Sequence, residues 1–283
     1  MLRFATAGLP HCLTKGDYRH AMPLLRNELG LDAIEVEFVH GARMKPEVAQ
    51  EVGELARKHD IAITIHGPYY INLNAVEPEK RESSRNHILS SARIGKLMGA
   101  RSVTFHPAFY LKMDPEVVYA TVRDEMAFLQ RTLQEEGNPV RLSPELTGKP
   151  TQWGSIEELV RLGKDLPGII PCIDFAHHHA RSGGRRNSYQ EFAAVLQALV
   201  DGLGPQVLSD MHMHVSGIAY TPKGESKHLV FAEADLKYQE LLQALLDFNV
   251  QGVMVCESPS IEDDTMFLKS EYLRLARERG EGV

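Results

Sequence analysis

Residues 63–66 read Ile63-Thr64-Ile65-His66, a short β-branched run that ends in a histidine. The pattern returns at Val103-Thr104-Phe105-His106, and the amphipathic segment 78–98 between the two runs has the length of a helix. β-Branched residues favour strands, and apolar residues spaced three and four apart favour a helix packed on a core. These stretches therefore predict a strand–helix–strand unit in which both strands end in a histidine.

The same alternation extends along the whole chain. Strands are predicted at residues 2–7, 33–38, 61–65, 102–105, 140–142, 169–173, 208–214 and 253–256. Helices are predicted at residues 46–59, 78–98, 114–135, 156–164, 189–199, 235–248 and 262–279. Eight strands alternating with helices predict an α/β chain folded as a single (β/α)8 TIM barrel over residues 1–283, since such barrels need ~250 residues. No GxGxxG motif follows the first strand, which disfavours an open dinucleotide-binding sheet.

The bulk composition restricts the class of partner. The formal net charge is −7, which disfavours nucleic acid, because duplex affinity comes largely from Lys and Arg that neutralise phosphates. Bound divalent ions can reverse that charge locally. No apolar run of ~18 residues predicts a membrane span, and no signal-peptide pattern opens the chain, so we expect a cytoplasmic monomer. Cys12, Cys172 and Cys256 form no CxxC motif and are expected to be reduced thiols.

Six consecutive predicted strands end in a residue that can bind a metal ion. These residues are His66, His106, Glu145, Asp174, His214 and Glu257. Because the carboxyl ends of barrel strands meet at one rim, where barrel active sites lie, we expect them to converge. A ring of buried carboxylates and imidazoles needs a cation to be stable. The pattern predicts a centre of two or three Zn²⁺ ions, with Mn²⁺ and Fe²⁺ as alternatives, in which Glu145, Asp174 and Glu257 are the catalytic carboxylates.

Further histidines lie close to these strand ends. His177 follows Asp174 by three residues, and His228 lies in a polar loop after the seventh strand, so both are predicted ligands. His178 and His179 are expected to be exposed. His212 is expected to point towards the helices, away from His214.

Several motifs at these strand ends match one known family. Residues 66–74, His66-Gly67-Pro68-Tyr69-Tyr70-Ile71-Asn72-Leu73-Asn74, are similar to a His-x-x-Tyr-x-Ile-Asn-Leu segment. The other matching motifs are Phe105-His106-Pro107, Glu145 with Thr147, Asp174-x-x-His177, the strand end at His214, and Glu257-Ser258-Pro259. From about residue 3 to about residue 275, the chain resembles endonuclease IV, the zinc-dependent apurinic/apyrimidinic endonuclease family of the xylose isomerase-like barrels.

The resemblance implies a DNA-repair hydrolase that binds three zinc ions and cleaves DNA 5′ to abasic sites with a zinc-activated hydroxide. By position, the first ion is held by His66, His106 and Glu145. The second is held by Glu145, Asp174, His214 and Glu257. The third is held in part by His177 and His228.

The resemblance also implies residues that contact the DNA. Tyr69 is expected near the extruded abasic sugar, with Asn72 as a further substrate-binding residue. Arg43 is the candidate intercalating side chain of the loop after strand two. Apart from the resemblance, the scarcity of positive charge leads us to expect that phosphate contacts come from a few rim residues, namely Arg43, Arg181, Arg185, Arg186 and Lys223.

Two features favour other interpretations of the centre. Where the family has an Asp two residues before the histidine that matches His228, this chain has Ser226, and the neighbouring Glu225 is the candidate replacement. A sugar isomerase or epimerase of the same superfamily would need one Mn-type ion, held by Glu145, Asp174, His214 and Glu257. These four residues occur in both interpretations. The acidic net charge favours the isomerase, whereas His66, His106, His177 and His228 together favour the multi-zinc nuclease. A non-catalytic barrel that keeps one structural metal is a third interpretation, which the intact ring of ligands disfavours.

Overall fold

The computed structural model describes residues 2–280. Eight parallel strands, called here barrel strands one to eight, form the central sheet. In chain order they are Leu2–Ala7, Ala33–Glu37, Ala62–His66, Ser102–Phe105, Arg141–Pro144, Cys172–Asp174, Met211–Val215 and Gly252–Cys256. Strand one pairs with strands two and eight, and a bridge between Glu145 and Cys172 joins strands five and six. The predicted barrel is confirmed, and each predicted strand overlaps one of its strands; residues 1 and 281–283 of the predicted domain lie outside the described residues.

Helices connect the strands and surround the barrel. Those that overlap the predicted helices are α2 (Pro46–Lys58), α3 (Pro78–Met98), α4 (Pro115–Glu135), α5 (Ile156–Asp165), α7 (Tyr189–Leu203), α8 (Tyr238–Asp247) and α9 (Glu262–Glu278). Two α-helices of the described residues lie outside the predicted set, namely α1 (Tyr18–Asn27) and α6 (Phe175–Arg181), as do two short 3-10 helices, Pro205–Ser209 and Phe231–Glu233. A proline inside α1, Pro23, obscures its helical pattern, and α6 follows strand six without a loop. No helix within residues 2–280 is long and apolar enough to span a membrane.

The alternation of side chains along each strand separates an apolar layer from a polar interior. In strand two, Ile34 and Val36 pack in the main apolar core with the helices, whereas Ala33 belongs to a separate small cluster that includes Ala5. Successive side chains of a strand point to opposite faces, so Glu35 lies on the same face as Ala33. The interior of the barrel therefore carries the chemically reactive side chains.

A two-stranded hairpin follows barrel strand seven. Its strands, Gly217–Thr221 and Gly224–Leu229, pair antiparallel with a register shift between Ala219 and Tyr220. A smaller antiparallel pair joins Ala108–Phe109 to Gln152–Trp153. Both follow the carboxyl ends of barrel strands, so they add to the rim where the predicted ligands end.

Candidate metal centre

Glu145 lies at the centre of the predicted ligands. Its Oε2 is 3.2 Å from His66 Nε2, and its Oε1 is 3.5 Å from His106 Nε2. The same Oε1 is 3.1 Å from His177 Nδ1 and 3.5 Å from His214 Nδ1. Both carboxylate oxygens therefore face imidazoles from different strands, which is the arrangement of a carboxylate able to bridge two cations.

The predicted strand-end ligands form two groups with metal-binding spacing. One consists of His66, His106 and Glu145, and the other of Glu145, Asp174, His214 and Glu257. Within each group one ligand atom per residue lies within 4.8 Å of the others. We call these six residues, together with His177, the rim cluster.

Unsatisfied buried atoms test whether the rim cluster fits a cation. Glu145 Oε1, Asp174 Oδ2, His214 Nδ1 and Glu257 Oε2 are buried and form no hydrogen bond within residues 2–280. Buried polar atoms are normally hydrogen-bonded, and leaving a buried charge uncompensated is costly. All four atoms belong to the second group, and mixed imidazole and carboxylate donors suit Zn²⁺ or Mn²⁺. The donor set therefore fits a divalent cation.

His177 enters the rim cluster through the first turn of α6. Asp174 is the N-cap of this helix, and its Oδ1 accepts a hydrogen bond of 2.7 Å from the His177 backbone N–H. The cap turns the His177 ring back over the rim, where Nδ1 lies 3.1 Å from Asp174 Oδ2. Its Nε2 points outward and lies 3.3 Å from Glu225 Oε2. The short spacing from Asp174 to His177 thus places the two side chains side by side.

The hairpin after strand seven supplies Glu225 and His228 to the same site. In its register Ala219 pairs with Lys227 and Tyr220 pairs with Glu225, so Ser226 is the extra residue of a β-bulge. Residues three apart in a regular strand face opposite sides, and one extra residue restores the same side. Glu225 and His228 both line the cavity over the rim cluster.

A glycine makes room for Glu225. A Cβ at Gly148 would overlap the Glu225 carboxylate and lie 2.8 Å from His177 Cδ2. The Glu225 backbone N–H also donates a hydrogen bond of 3.0 Å to the Gly148 carbonyl oxygen. Close approach of a second backbone is a common reason for glycine. Glu225 therefore takes the position beside His177 that Ser226 does not fill.

Beneath the rim cluster lies a second polar group, the inner network, formed by Glu35, Thr64, Ser102 and His212. Thr64 Oγ1 donates a hydrogen bond of 2.8 Å to Glu35 Oε2, which is 2.7 Å from His212 Nε2. Ser102 Oγ is 3.0 Å from His212 Nδ1. Burial lowers the pKa of His212, so the neutral ring donates through Nε2 to Glu35 and accepts from Ser102 at Nδ1.

The inner network reaches the rim cluster through His214. Glu35 Oε1 is 3.0 Å from His214 Nε2, which leaves Nδ1 directed at Glu145 and Glu257. A carboxylate on the far nitrogen fixes the tautomer and orientation of a ligating imidazole. The expectation that His212 faces the helices is wrong, because residues two apart in a strand share one face.

The rim cluster and the hairpin surround a cavity of about 260 Å³. Tyr69 lines this cavity, and its ring centroid lies 5.0 Å from that of His66. Its hydroxyl donates a hydrogen bond of 3.4 Å to Glu37 Oε2. Glu37 and Val39, at the end of strand two, line the same cavity. Tyr69 is thus where a substrate-contacting residue would lie.

The other two predicted substrate residues lie outside this cavity. Asn72 Oδ1 accepts hydrogen bonds from the backbone N–H groups of Asn74 (3.1 Å) and Phe109 (3.3 Å), which orders the rim loops. Asn72 lines a neighbouring groove that shares Tyr69 with the cavity. Arg43 is exposed in the loop after strand two. The structure therefore brings Tyr69 to the rim cluster, and not Asn72 or Arg43.

One of the predicted phosphate-binding arginines is used inside the protein. Arg181 Nη1 donates to the carbonyl oxygens of Lys149 (2.6 Å) and Gln152 (3.0 Å) and to the Thr147 hydroxyl (3.0 Å). This side chain therefore holds the loop that contains Gly148.

The expectation that His178 and His179 are exposed is wrong, because both are buried. His179 Nε2 lies 3.0 Å from Asp235 Oδ1, and the Tyr220 hydroxyl donates a bond of 2.6 Å to Asp235 Oδ2. Burial lowers the pKa of His178 to about 4. The hairpin packs over α6, which covers a face that the sequence pattern presents as polar.

Burial and neighbouring charges set the protonation of the rim cluster. Burial raises the pKa of Asp174 to about 6 and that of Glu37 to about 8. Burial opposes charge on His66 and His177 as well, but Glu145 beside His66 and Asp174 beside His177 raise the pKa of each imidazole to about 10. Protons thus balance the buried carboxylates, and a metal ion would compete with them.

Two acidic residues of the site lie outside the predicted set. Glu35 and Glu37 belong to strand two, whose sequence Ala33-Ile34-Glu35-Val36-Glu37 alternates apolar and acidic residues. Alternation of this kind normally indicates an acidic face turned to solvent. In a barrel that face is the interior. A glutamate between Ile34 and Val36 is therefore the sequence signal that could have indicated a buried acidic residue.

Comparison with known proteins places this geometry in a family. The family model described as xylose isomerase-like TIM barrel matches residues 25–275. The chain belongs to this family. An uncharacterised protein from Methanocaldococcus jannaschii is 40% identical over 275 residues, which are 97% of this chain and 98% of that protein.

Solved structures of two kinds of enzyme share the fold. A D-tagatose 3-epimerase-like protein superposes with a TM-score of 0.73 at 19% identity, covering 98% of this chain and 99% of that one. Endonuclease IV from Thermus thermophilus superposes with a TM-score of 0.72 at 19% identity, covering 97% and 99%. The fold is thus shared with an epimerase-like protein and with an endonuclease IV.

Proposed function

We propose that this family member is a metal-dependent phosphodiesterase that cleaves DNA 5′ to abasic sites with two or three bound zinc ions. The observation that supports this best is the shared position of Glu145. Its Oε2 faces His66, while its Oε1 faces His106, His177 and His214. A single ion held by Glu145, Asp174, His214 and Glu257 would leave the pair His66 and His106 without a role.

The residues around the shared carboxylate have distinct roles in this proposal. His66 and His106 hold one side of Glu145, and Asp174, His214 and Glu257 hold the other. Bound zinc would polarise the scissile phosphate and lower the pKa of water towards ~7. His177, Glu225 and His228 form a third corner, in which Glu225 provides the negative charge. Tyr69 borders the cavity where the abasic sugar would lie.

Single-metal sugar epimerisation is the second candidate. The formal net charge of −7 favours a small substrate over duplex DNA. In this case Glu145 and Glu257, on either side of His214, would also transfer protons. The same four ligands serve both functions, so the number of bound ions separates them.

Metal content and substrate together test the proposal. We expect two or more zinc ions per chain by elemental analysis, and cleavage of an abasic-site duplex to a 3′-hydroxyl end that chelation abolishes. A duplex without the abasic site is the matched control. One ion per chain, an uncut duplex and interconversion of a ketose with its epimer would replace this proposal with the second candidate.

A further inference from the structure

Glu37 lines the cavity but belongs to neither metal-binding group. Its Oε2 accepts the long hydrogen bond from Tyr69, and its Oε1 is buried without a hydrogen bond in the described residues 2–280. A buried acceptor left in this state costs free energy, so each such atom in a folded protein calls for an explanation. Here the atom borders a cavity that a ligand can enter.

The position of Glu37 links it to the part of the site around His66. Glu37 pairs with His66 in the register of strands two and three. The rings of His66 and Tyr69 lie 5.0 Å apart, and Ala7 and Val39 add apolar surface to the same cavity. A group held at His66 would therefore place its neighbouring atoms against the Glu37 carboxyl group.

The chemistry of the carboxyl group selects the kind of ligand atom that fits. A carboxyl group keeps an acceptor oxygen whether it is ionised or protonated. A hydroxyl group can donate to it in both states. A phosphate oxygen can only accept, so it fits the protonated carboxyl group and not the ionised one. Of the two polar groups that a sugar phosphate presents, the hydroxyl is therefore the one that fits Glu37 in both states.

We propose that Glu37 is a specificity-determining residue that accepts a hydrogen bond from a hydroxyl group on the substrate's sugar ring. The inference rests on the proposed function for the identity of that sugar. In abasic DNA the hydroxyl is the one at C1′, the position from which the base has been lost. Glu37 would thus favour a sugar without a base by bonding to the group that replaces it.

Two small probes test this role without requiring cleavage. We expect the zinc-loaded protein to bind 2-deoxyribose 5-phosphate about 10-fold more tightly than its C1-deoxy analogue by calorimetry, since one such hydrogen bond has that effect. Glu37→Ala should bind the two probes equally. Glu37→Gln should retain part of the preference, because its amide oxygen still accepts. Glu54→Gln, which removes an exposed carboxylate of α2, should keep the full preference.

The outcomes separate this inference from the proposed function. Equal affinity of the unaltered protein for both probes, or binding of neither, would overturn the role of Glu37. So would a preference that survives in Glu37→Ala, with thermal unfolding confirming that the variant is folded. The cleavage arm compares duplexes with an abasic site and with its tetrahydrofuran analogue, which lacks the C1′ hydroxyl. If both stay uncut while the probe preference holds and disappears in Glu37→Ala, the phosphodiesterase proposal fails and the role of Glu37 stands.

Discussion

The inner network and the rim cluster use the same residue types in adjacent layers of one barrel. In the inner network, both nitrogens of His212 and the Oε2 of Glu35 lie within 3.0 Å of their partners. In the rim cluster, Glu145, Asp174, His214 and Glu257 each keep a buried atom without a hydrogen bond in the described chain. Burial is similar in the two layers, and the inner network keeps one such atom as well, Glu35 Oε1, on the side that faces His214. The layers therefore differ in how many of their buried donors and acceptors meet protein partners.

This difference gives the two layers different roles: the inner network supports the site, and the rim cluster is suited to bind a ligand. A network that is largely satisfied by the protein itself resists change and orients its neighbours. A group of buried carboxylates and imidazoles without hydrogen-bond partners is stable only when a cation or protons compensate the negative charge of the carboxylates. His214 connects the two layers, with Nε2 towards Glu35 and Nδ1 towards Glu145 and Glu257. We therefore expect the inner network to orient His214 within the rim cluster.

The largest effect is expected from Glu145→Gln. An amide cannot bridge two cations as a carboxylate does, so metal content should fall by at least one ion per chain. The loss of several kcal/mol of stabilisation predicts a decrease of about 1000-fold in abasic-site cleavage. Elemental analysis and kcat measure the two effects. Glu54→Gln is the matched control, and full metal content in Glu145→Gln would show that Glu145 is not shared.

Glu35→Leu should affect both layers. Removing the carboxylate leaves His212 and Thr64 without their partner and should lower the free energy of unfolding by about 3–5 kcal/mol. Loss of the contact with His214 Nε2 should weaken zinc binding by about 10- to 100-fold. Denaturant unfolding and competition with a zinc indicator measure these quantities. A destabilised variant with unchanged zinc affinity would show that the inner network does not orient His214.

A smaller effect is expected when the metal is removed from the unaltered protein. Zinc at about 100 times its Kd stabilises the folded state by about 2.7 kcal/mol, so chelation should lower Tm by about 5–10 °C. The pKa values of His66 and His177 rise from 6.5 to about 10 on folding. Their stabilising contribution is full below pH 6.5 and is lost as pH rises towards 10.

The pH dependence provides the check on this third prediction. The Tm of the metal-free protein should decrease between pH 6.5 and 9. The Tm of the zinc-loaded protein should decrease less, because zinc replaces the protons that leave the two histidines. The difference in Tm between the zinc-loaded and the metal-free protein should therefore increase as pH rises. Thermal unfolding with and without chelator measures it. A difference that stays constant across this range would contradict ligation by these two histidines.

The sequence predicts the barrel and much of the rim because both depend on local patterns. A β-branched run that ends in His66 or Glu257 marks a strand and a rim position at once. The convergence of Glu145 with ligands from other strands follows from closing the barrel. Local pattern and global fold agree at these positions.

The remaining parts of the site depend on contacts between distant segments. Glu35 and Glu37 have the pattern of an exposed strand face until the barrel closes around them. His178 and His179 have the pattern of exposed residues until the hairpin covers α6. The meeting of Glu225 with His177 needs both the bulge at Ser226 and the absence of a side chain at Gly148. The glutamate between Ile34 and Val36 and the glutamate next to Ser226 are the local signals, and neither indicates by itself which residue it contacts.

The bulge at Ser226 changes how divergent relatives of this protein should be compared. Aligned column by column, a serine in place of an acidic residue suggests the loss of a ligand and of the function that depends on it. In this chain an acidic group lies one residue earlier, at Glu225, and the bulge directs it to the cavity that His228 also lines. If Glu225 has the role that we propose, a change of register can relocate a ligand while its chemistry persists. Assigning activity within such families requires a comparison of where the metal-ligating atoms lie. The residues at aligned positions can differ while the arrangement of these atoms stays the same.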